Sequence, residues 1–240
     1  MVFGKLSGRA WRVTIVAAIA LLVVGGAVLS NSHEPNAPAN TAILSSNETL
    51  AIKALGKLAV KSTASHAGYA RRKFADGWTT VGNCDMREQV LNRDLANVKD
   101  QSASDCTVLS GTLHDPYSGK TIAFKRGAGT SSLVQIDHVV AISDAWATGA
   151  QNLSATQREK LYNDPLELLA VDGQANDAKS DADAAAWLPP NKPYDCRYVA
   201  RQIAVKLKYH LWVTNPEHAA MQHVLQTCPS QILPLTSSQK

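Results

Sequence analysis

Two polar clusters, each beside an apolar run, hold the residues of this sequence whose types and spacing could do chemistry together. Asp137 and His138 lie inside the first run, and Asn176 follows the second run, residues 166–171. Carboxylate and amide oxygens suit a hard divalent cation such as Mg²⁺, which keeps several waters. Histidine, with an unperturbed pKa of about 6.5, can take a proton from water near neutral pH. The trio therefore predicts metal-assisted hydrolysis of a phosphate ester.

The elements that must position this trio are two strands and a helix. Residues 133–142 predict the first strand, residues 166–171 the second strand after a polar insertion, and residues 176–187 the helix. A ββα unit of this kind can bring the first strand close to the start of the helix. We therefore expect the three side chains to converge, although they are some forty positions apart in the chain.

The same stretch resembles the HNH motif of the His-Me finger nucleases. Its DHVV at Asp137 and its NDAKSD at Asn176 are similar to the HNH domain of the CRISPR effector nuclease. From about Tyr69 to Cys228, phrases such as NDPLELLAVDG, WLPPNKPYDCRYVARQIAVK and LWVT resemble small secreted actinobacterial HNH-family proteins. Those proteins are grouped with the C-terminal nuclease module of the modification-dependent restriction enzyme GmrSD.

The resemblance implies a fold and a role for each site residue. It implies an α+β fold with a ββα-metal core at residues 133–187, a β-hairpin and surrounding helices. His138 matches the general base, while Asp137 and Asn176 match the ligands of a divalent cation, Mg²⁺ first, with Mn²⁺ or Zn²⁺ as alternatives. The family's middle asparagine, which orients the loop of the base through backbone hydrogen bonds, falls on Glu167. Glu167 can accept such bonds but has no amide N–H to donate.

Three cations are candidate contacts to the phosphates of a substrate. Lys179 lies one helical turn after the proposed ligand, Arg126 precedes the first strand, and Arg201 lies on an outer face of a helix that begins near Asp195. The alternative for Lys179 is a solvated helix face. Residues 69–78, YARRKFADGW, mix cations with aromatics, which suits either nucleic acid or a loop anchored to the core.

The charge balance limits what kind of nucleic-acid protein this can be. The formal net charge is +4, but three of the 24 lysines and arginines lie in the first 30 residues, which contain no acid. The rest of the chain is therefore nearly balanced against its 20 acids. A generally basic binding protein is excluded, and any nucleic-acid site must be a local patch.

The N-terminal 30 residues predict export. Lys5, Arg9 and Arg12 precede an uncharged run at residues 13–29, which is short for a membrane span of about 20 residues. Residues 1–30 are therefore predicted to be a signal peptide, and the mature protein to be secreted. The alternative is an anchor that holds the protein at the outer face of the plasma membrane, the only membrane contact we expect.

Behind this segment the sequence predicts a linker at residues 31–44, one nuclease domain at residues 45–228 and a loose tail at residues 229–240. The four cysteines fit export, since an even count in an exported chain favours disulfides over a metal site. Three pairings are possible. We favour the pairing that closes two short loops, Cys84–Cys106 and Cys196–Cys228.

Together these observations predict an exported, metal-dependent endonuclease that hydrolyses the phosphodiester bonds of DNA, with RNA as an alternative substrate. No stable protein partner is expected. One alternative, motivated by Glu167, is a non-catalytic exported nucleic-acid-binding module on a degraded nuclease scaffold. Another is a hydrolase of some other phosphodiester outside the cell.

Overall fold

A computed structural model describes residues 49–102 and 105–234 of the chain. It confirms the predicted α+β class. The predicted signal peptide and linker lie outside the described residues. Within the described ranges, every helix is too short or too polar to cross a membrane. The helices are α1 (Ala51–Leu55), α2 (Met86–Asp94), α3 (Ile142–Ala147), α4 (Ala155–Tyr162), α5 (Gly173–Lys179), α6 (Asp195–Lys208) and α7 (Asn215–Gln226).

The strands in the described part of the chain form three small antiparallel sheets. The first pairs β1 with β2, the second has the order β3-β4-β5, and the third pairs β6 with β7. The predicted hairpin is present as β4 and β5. The sequence did not predict β3, because most of its side chains are exposed and show no apolar alternation. The strands are β1 (Thr80–Val81), β2 (Cys84–Asp85), β3 (Leu95–Ser102), β4 (Asp105–His114), β5 (Thr121–Lys125), β6 (Val134–His138) and β7 (Leu168–Asp172).

The predicted ββα unit is formed by β6, β7 and α5. In the β6–β7 ladder Asp137 is opposite Leu169, so the ladder fixes the register of the candidate site. Helix α5 begins at Gly173 because the Asp172 side chain caps it by accepting from a backbone N–H. A side chain at Gly173 would meet the Ser132 carbonyl oxygen at 2.2 Å, so only glycine allows this close approach to the segment before β6.

The helix of this unit is shorter than predicted and begins earlier. The sequence predicted a helix over residues 176–187, but α5 spans Gly173–Lys179. It ends because Ser180 has φ +48°, which continues no right-handed helix. The corrected position keeps Asn176 and Lys179 one turn apart on the helix.

The long insertion between β6 and β7 contains α3 and α4, and α6 contributes several side chains to the main core. The Val199 and Ile203 side chains of α6 are fully buried in the main core, which α1 and α7 also enter. Lys206, further along α6, is buried as well. Its ammonium pairs with Asp144 at 3.0 Å and with Glu217 at 2.8 Å, which explains why these carboxylates lie close together.

Both predicted disulfides are present, Cys84–Cys106 and Cys196–Cys228. The tail predicted to be loose at residues 229–240 is packed over the part that the structure describes, which ends at residue 234. Leu50 forms an antiparallel bridge with Ile232, and the Leu233 N–H donates to the Thr49 carbonyl at 2.9 Å. The last described residues are therefore packed against the first ones.

Candidate active site

One pocket of about 310 Å³ brings the three predicted site residues together. Strand β6 supplies Asp137 and His138 as consecutive residues, and α5 supplies Asn176. Asp137 and His138 are buried at the base of the pocket, whereas Asn176 is half-buried at its side. The remaining lining residues are Arg71, Ile136, Ala141, Ile142, Asp177, Lys179, Ser180 and Asp181.

The hydrogen bonds of His138 define which ring nitrogen carries its proton. Nε2 lies 2.9 Å from the Tyr162 carbonyl oxygen, which can only accept, so Nε2 must carry the hydrogen. Nδ1 lies 3.3 Å from Nη2 of Arg71, which can only donate. Both contacts therefore require the neutral ring, with the lone pair on Nδ1.

The ring of His138 is also fixed by packing. It stacks on Trp78 at a centroid distance of 5.7 Å with 10° between the planes, and it contacts the Tyr162 ring at 4.3 Å. Burial, and next the positive charge of Arg71, lowers the pKa of His138 from its ordinary value to about 3. A neutral imidazole with a defined lone pair is the form that a general base needs.

The carboxylate of Asp137 is held at both oxygens. Lys179 Nζ donates to Oδ1 at 3.0 Å, and Tyr117 Oη donates to Oδ2 at 2.5 Å. The same ammonium also donates to the His138 carbonyl oxygen at 2.9 Å. Lys179 thus links α5 to two consecutive residues of β6, and it fixes the direction of the Asp137 carboxylate.

The donor atoms around the pocket are of the kind that a hard divalent cation accepts. Each Asp137 oxygen keeps a lone pair beyond the contacts just described. The Asn176 amide nitrogen donates to Gln135 Oε1 at 2.8 Å, which turns its amide oxygen away from Gln135. Asp181 adds an exposed carboxylate to the lining. These oxygens fit a cation that is held by few protein ligands and keeps several waters.

Glu167 lies next to the loop after His138. Its side chain is fully buried, and both carboxylate oxygens lie 3.2 Å from the Val140 N–H that donates to them. The Glu167 backbone carbonyl accepts from the Val139 N–H at 2.9 Å. Burial raises the pKa of the Glu167 carboxyl well above its usual range. Glu167 therefore holds Val139 and Val140, the two residues that follow His138, by hydrogen bonds to their backbone N–H groups.

The cations predicted to contact substrate are all engaged within the protein. Arg201 donates to the carbonyls of Pro165, Leu166 and Leu168, so it holds the segment that carries Glu167. Arg126 pairs with Glu88 at 2.5 Å. The ammonium of Lys179 is fully buried, as described above. A direct contact between any of these groups and a phosphate would require it to leave its present partners, and such contacts remain predictions.

Three residues of the site did not emerge as site residues from the sequence. Arg71 and Trp78 contact the His138 ring, and Tyr117 contacts Asp137. The mixture of cations and aromatics over residues 69–78 was a signal for the first two. Tyr117 gave none, because a turn between two strands rarely holds a fully buried ring.

Comparison with known proteins identifies relatives of this chain. Residues 85–224 match the family model described as the C-terminal domain of GmrSD restriction endonucleases. A protein of Arthroderma benhamiae, strain ATCC MYA-4681 / CBS 112371, is 39% identical over 176 residues, which cover 72% of this chain and 82% of that protein. Its name is "Uncharacterized secreted protein". No solved structure gave a significant match.

Proposed function

Because the chain belongs to the family of the C-terminal domain of GmrSD restriction endonucleases, and so carries a nuclease domain, we propose that it is an HNH endonuclease that uses His138 as its general base. The observation that carries this proposal is the orientation of one ring. The Tyr162 carbonyl fixes the hydrogen on Nε2, so Nδ1 is the basic atom, in the pocket that also contains Asp137 and Asn176.

In this proposal His138 takes a proton from a water that attacks the phosphorus of a phosphodiester. The ring needs no proton shift before it acts, because it is already neutral and already has its lone pair on Nδ1. The Tyr162 carbonyl stabilises the imidazolium that forms, since it accepts from Nε2 throughout. Stacking on Trp78 keeps the ring plane from rotating.

The surrounding residues hold the base in position. Glu167 fastens the Val140 N–H, two residues after His138, and Arg201 fastens the carbonyls on either side of Glu167. Lys179 binds the His138 carbonyl itself. We propose that these contacts replace those of the asparagine that the family motif has at the position of Glu167.

Asp137 and Asn176 would hold the divalent cation, Mg²⁺ first, with Mn²⁺ or Zn²⁺ as alternatives. When bound, such a cation neutralises charge on the phosphate and on the departing oxygen. Tyr117 and Lys179 serve this arrangement by fixing the direction of the Asp137 carboxylate. Gln135 does the same for Asn176, because it takes the amide hydrogen and leaves the amide oxygen as the available atom.

The proposed substrate is DNA, with RNA as an alternative, and the proposed place of action is outside the cell. A nuclease domain implies a nucleic-acid substrate. Export is supported by the basic and apolar N-terminal residues and by the word "secreted" in the name of the Arthroderma relative. The two disulfides fit an oxidising compartment.

The test is cleavage of plasmid, single-stranded DNA and RNA by the purified chain with Mg²⁺, Mn²⁺, Zn²⁺ or EDTA. We expect a cation-dependent product, and we expect His138→Ala to lower the rate by 10² to 10⁴-fold or so. Circular dichroism checks that the variant is folded. Cleavage by His138→Ala at the wild-type rate would refute the assignment of the base. Gel retention without cleavage would favour the non-catalytic binding module instead.

A further inference from the structure

The guanidinium of Arg71 occupies the approach to the basic nitrogen of the site. Its Nη2 lies 3.3 Å from His138 Nδ1, and Nδ1 has a single lone pair. A water that gives its proton to Nδ1 must come within about 2.6–3.2 Å of the same atom. Arg71 and the attacking water therefore compete for one position. The free protein, as described, has its base covered.

Among the residues that the structure describes, the further partners of Arg71 are neutral. Its Nε donates to Tyr162 Oη at 3.3 Å, and the guanidinium lies over the Tyr162 ring at 5.2 Å. The ion pairs between described residues do not include Arg71. Its side chain is exposed and belongs to a single 3₁₀ turn, Arg71–Lys73. A rotation of this side chain would therefore break no ion pair between described residues.

The two arginines that the sequence predicted as substrate contacts differ in this respect. Arg126 is tied to the Glu88 carboxylate by contacts of 2.5 and 2.7 Å, and Arg201 is tied to three backbone carbonyls. A guanidinium with neutral partners at the edge of a pocket keeps its charge available for an anion. Phosphate oxygens match its planar pair of N–H donors better than an imidazole nitrogen does.

We propose that Arg71 covers His138 Nδ1 in the free protein and uncovers it by turning to the non-bridging oxygens of a bound phosphodiester. This inference rests on the proposed function, since it assigns the event that prepares the base of that reaction. Arg71 binds the phosphate and, through the same movement, admits water to Nδ1. The imidazole is then accessible to water when a substrate phosphate is bound, and it is covered otherwise.

The test follows the two ring nitrogens of His138 by ¹⁵N magnetic resonance of the full chain at one fixed pH. The probe is dimethyl phosphate, which is a phosphodiester anion without bases or sugars, and no cation is added. In the wild type we expect a saturable shift of the Nδ1 signal towards that of a nitrogen without a donor. The Nε2 signal should stay in place, because its bond to the Tyr162 carbonyl is kept.

The variant Arg71→Gln should show the uncovered Nδ1 signal before any probe is added, and its affinity for dimethyl phosphate should fall at least tenfold. Arg72→Gln is the matched control, because Arg72 is the exposed neighbour in the same turn. It should behave as the wild type does. A wild-type Nδ1 signal that stays unmoved across the titration, or an equal response in Arg71→Gln, would overturn the proposal.

This experiment separates the inference from the proposed function. Dimethyl phosphate binding is read without cleavage, so a chain that responds as expected but cuts no polynucleotide retains the Arg71 movement and loses the nuclease assignment. The opposite result is also distinguishable. If the chain cleaves polynucleotide through His138 but the probe does not shift the Nδ1 signal, the nuclease assignment stands and the Arg71 movement is refuted.

Discussion

Lys179 and Asp137 form an ion pair that is almost completely removed from solvent. Nζ lies 3.0 Å from Oδ1, and the two side chains are 0% and 6% exposed. The pair joins α5 to β6 at the position where the candidate base follows. The pair therefore stabilises the fold around the site as well as orienting the Asp137 carboxylate. Replacing only one of the two residues would leave the other charge buried without a partner.

The first prediction concerns the stability of this pair. Lys179→Met leaves the Asp137 carboxylate buried with only the Tyr117 hydroxyl, so we expect a loss of about 3–5 kcal/mol in the free energy of unfolding. Adding Asp137→Asn removes the unpaired charge and should restore most of that loss. Urea unfolding of the two variants measures both values. A single variant as stable as the wild type would show that the pair is open in solution.

The second prediction concerns Glu167. Glu167→Ala removes the acceptor of the Val140 N–H and should lower cleavage by about 10²-fold through misplacement of His138, with unchanged affinity for DNA. Glu167→Gln should cleave within a few-fold of the wild type. Burial raises the pKa of this carboxyl well above its usual range, and glutamine keeps its shape and an acceptor oxygen without the charge. Equal rates for the alanine variant and the wild type would remove Glu167 from the positioning network.

The third prediction concerns pH. Because burial and Arg71 lower the pKa of His138 to about 3, the base is neutral throughout the range from pH 5 to pH 8. The value of kcat/KM, which reports the free protein, should show no fall due to His138 between pH 7 and pH 5. An imidazole with the ordinary pKa would instead give a midpoint near 6.5 in such a profile.

The same shift has a consequence for the fold. Between the ordinary pKa and about 3, the unfolded chain binds a proton at His138 that the folded chain does not. Stability therefore falls as the pH falls through this window. Urea unfolding at each pH of the activity profile provides the control, because it separates loss of the fold from protonation of the base.

The fourth prediction concerns the disulfide between α6 and the end of α7. Cys196 and Cys228 are 32 residues apart, so the loop-entropy model gives about 3–4 kcal/mol of stabilisation. Replacing both by serine should lower the free energy of unfolding by that amount and leave the pocket intact. Urea unfolding measures the loss, and dimethyl phosphate binding checks the pocket. A double variant as stable as the wild type would contradict this.

The sequence was sufficient to predict the ββα unit, because its two strands and its helix follow one another along the chain. Asp137 and Asn176 meet in one pocket because consecutive strands and a directly following helix leave few alternatives. The burial of Lys179 was not predictable, because its ion-pair partner Asp137 lies 42 positions earlier, on a different element. The contact of Tyr117 with Asp137 was not predictable either, because Tyr117 belongs to the turn between β4 and β5. Arg71 lies 67 positions before the histidine that it contacts, and no local pattern connects the two.

Helix ends were less predictable than helix faces for a similar reason. The apolar stripe of α6 defines its buried side, and Val199 and Ile203 lie there as expected. The end of α5 depends instead on one backbone angle at Ser180, a residue type that is normally compatible with a helix. Such an angle is imposed by the surrounding fold, so the sequence offers no signal for it.

The bridge between Leu50 and Ile232 means that both boundaries of the described domain share one exit point. A unit with adjoining ends can be fused to a host protein, or grafted into a host loop, without stretching its interior.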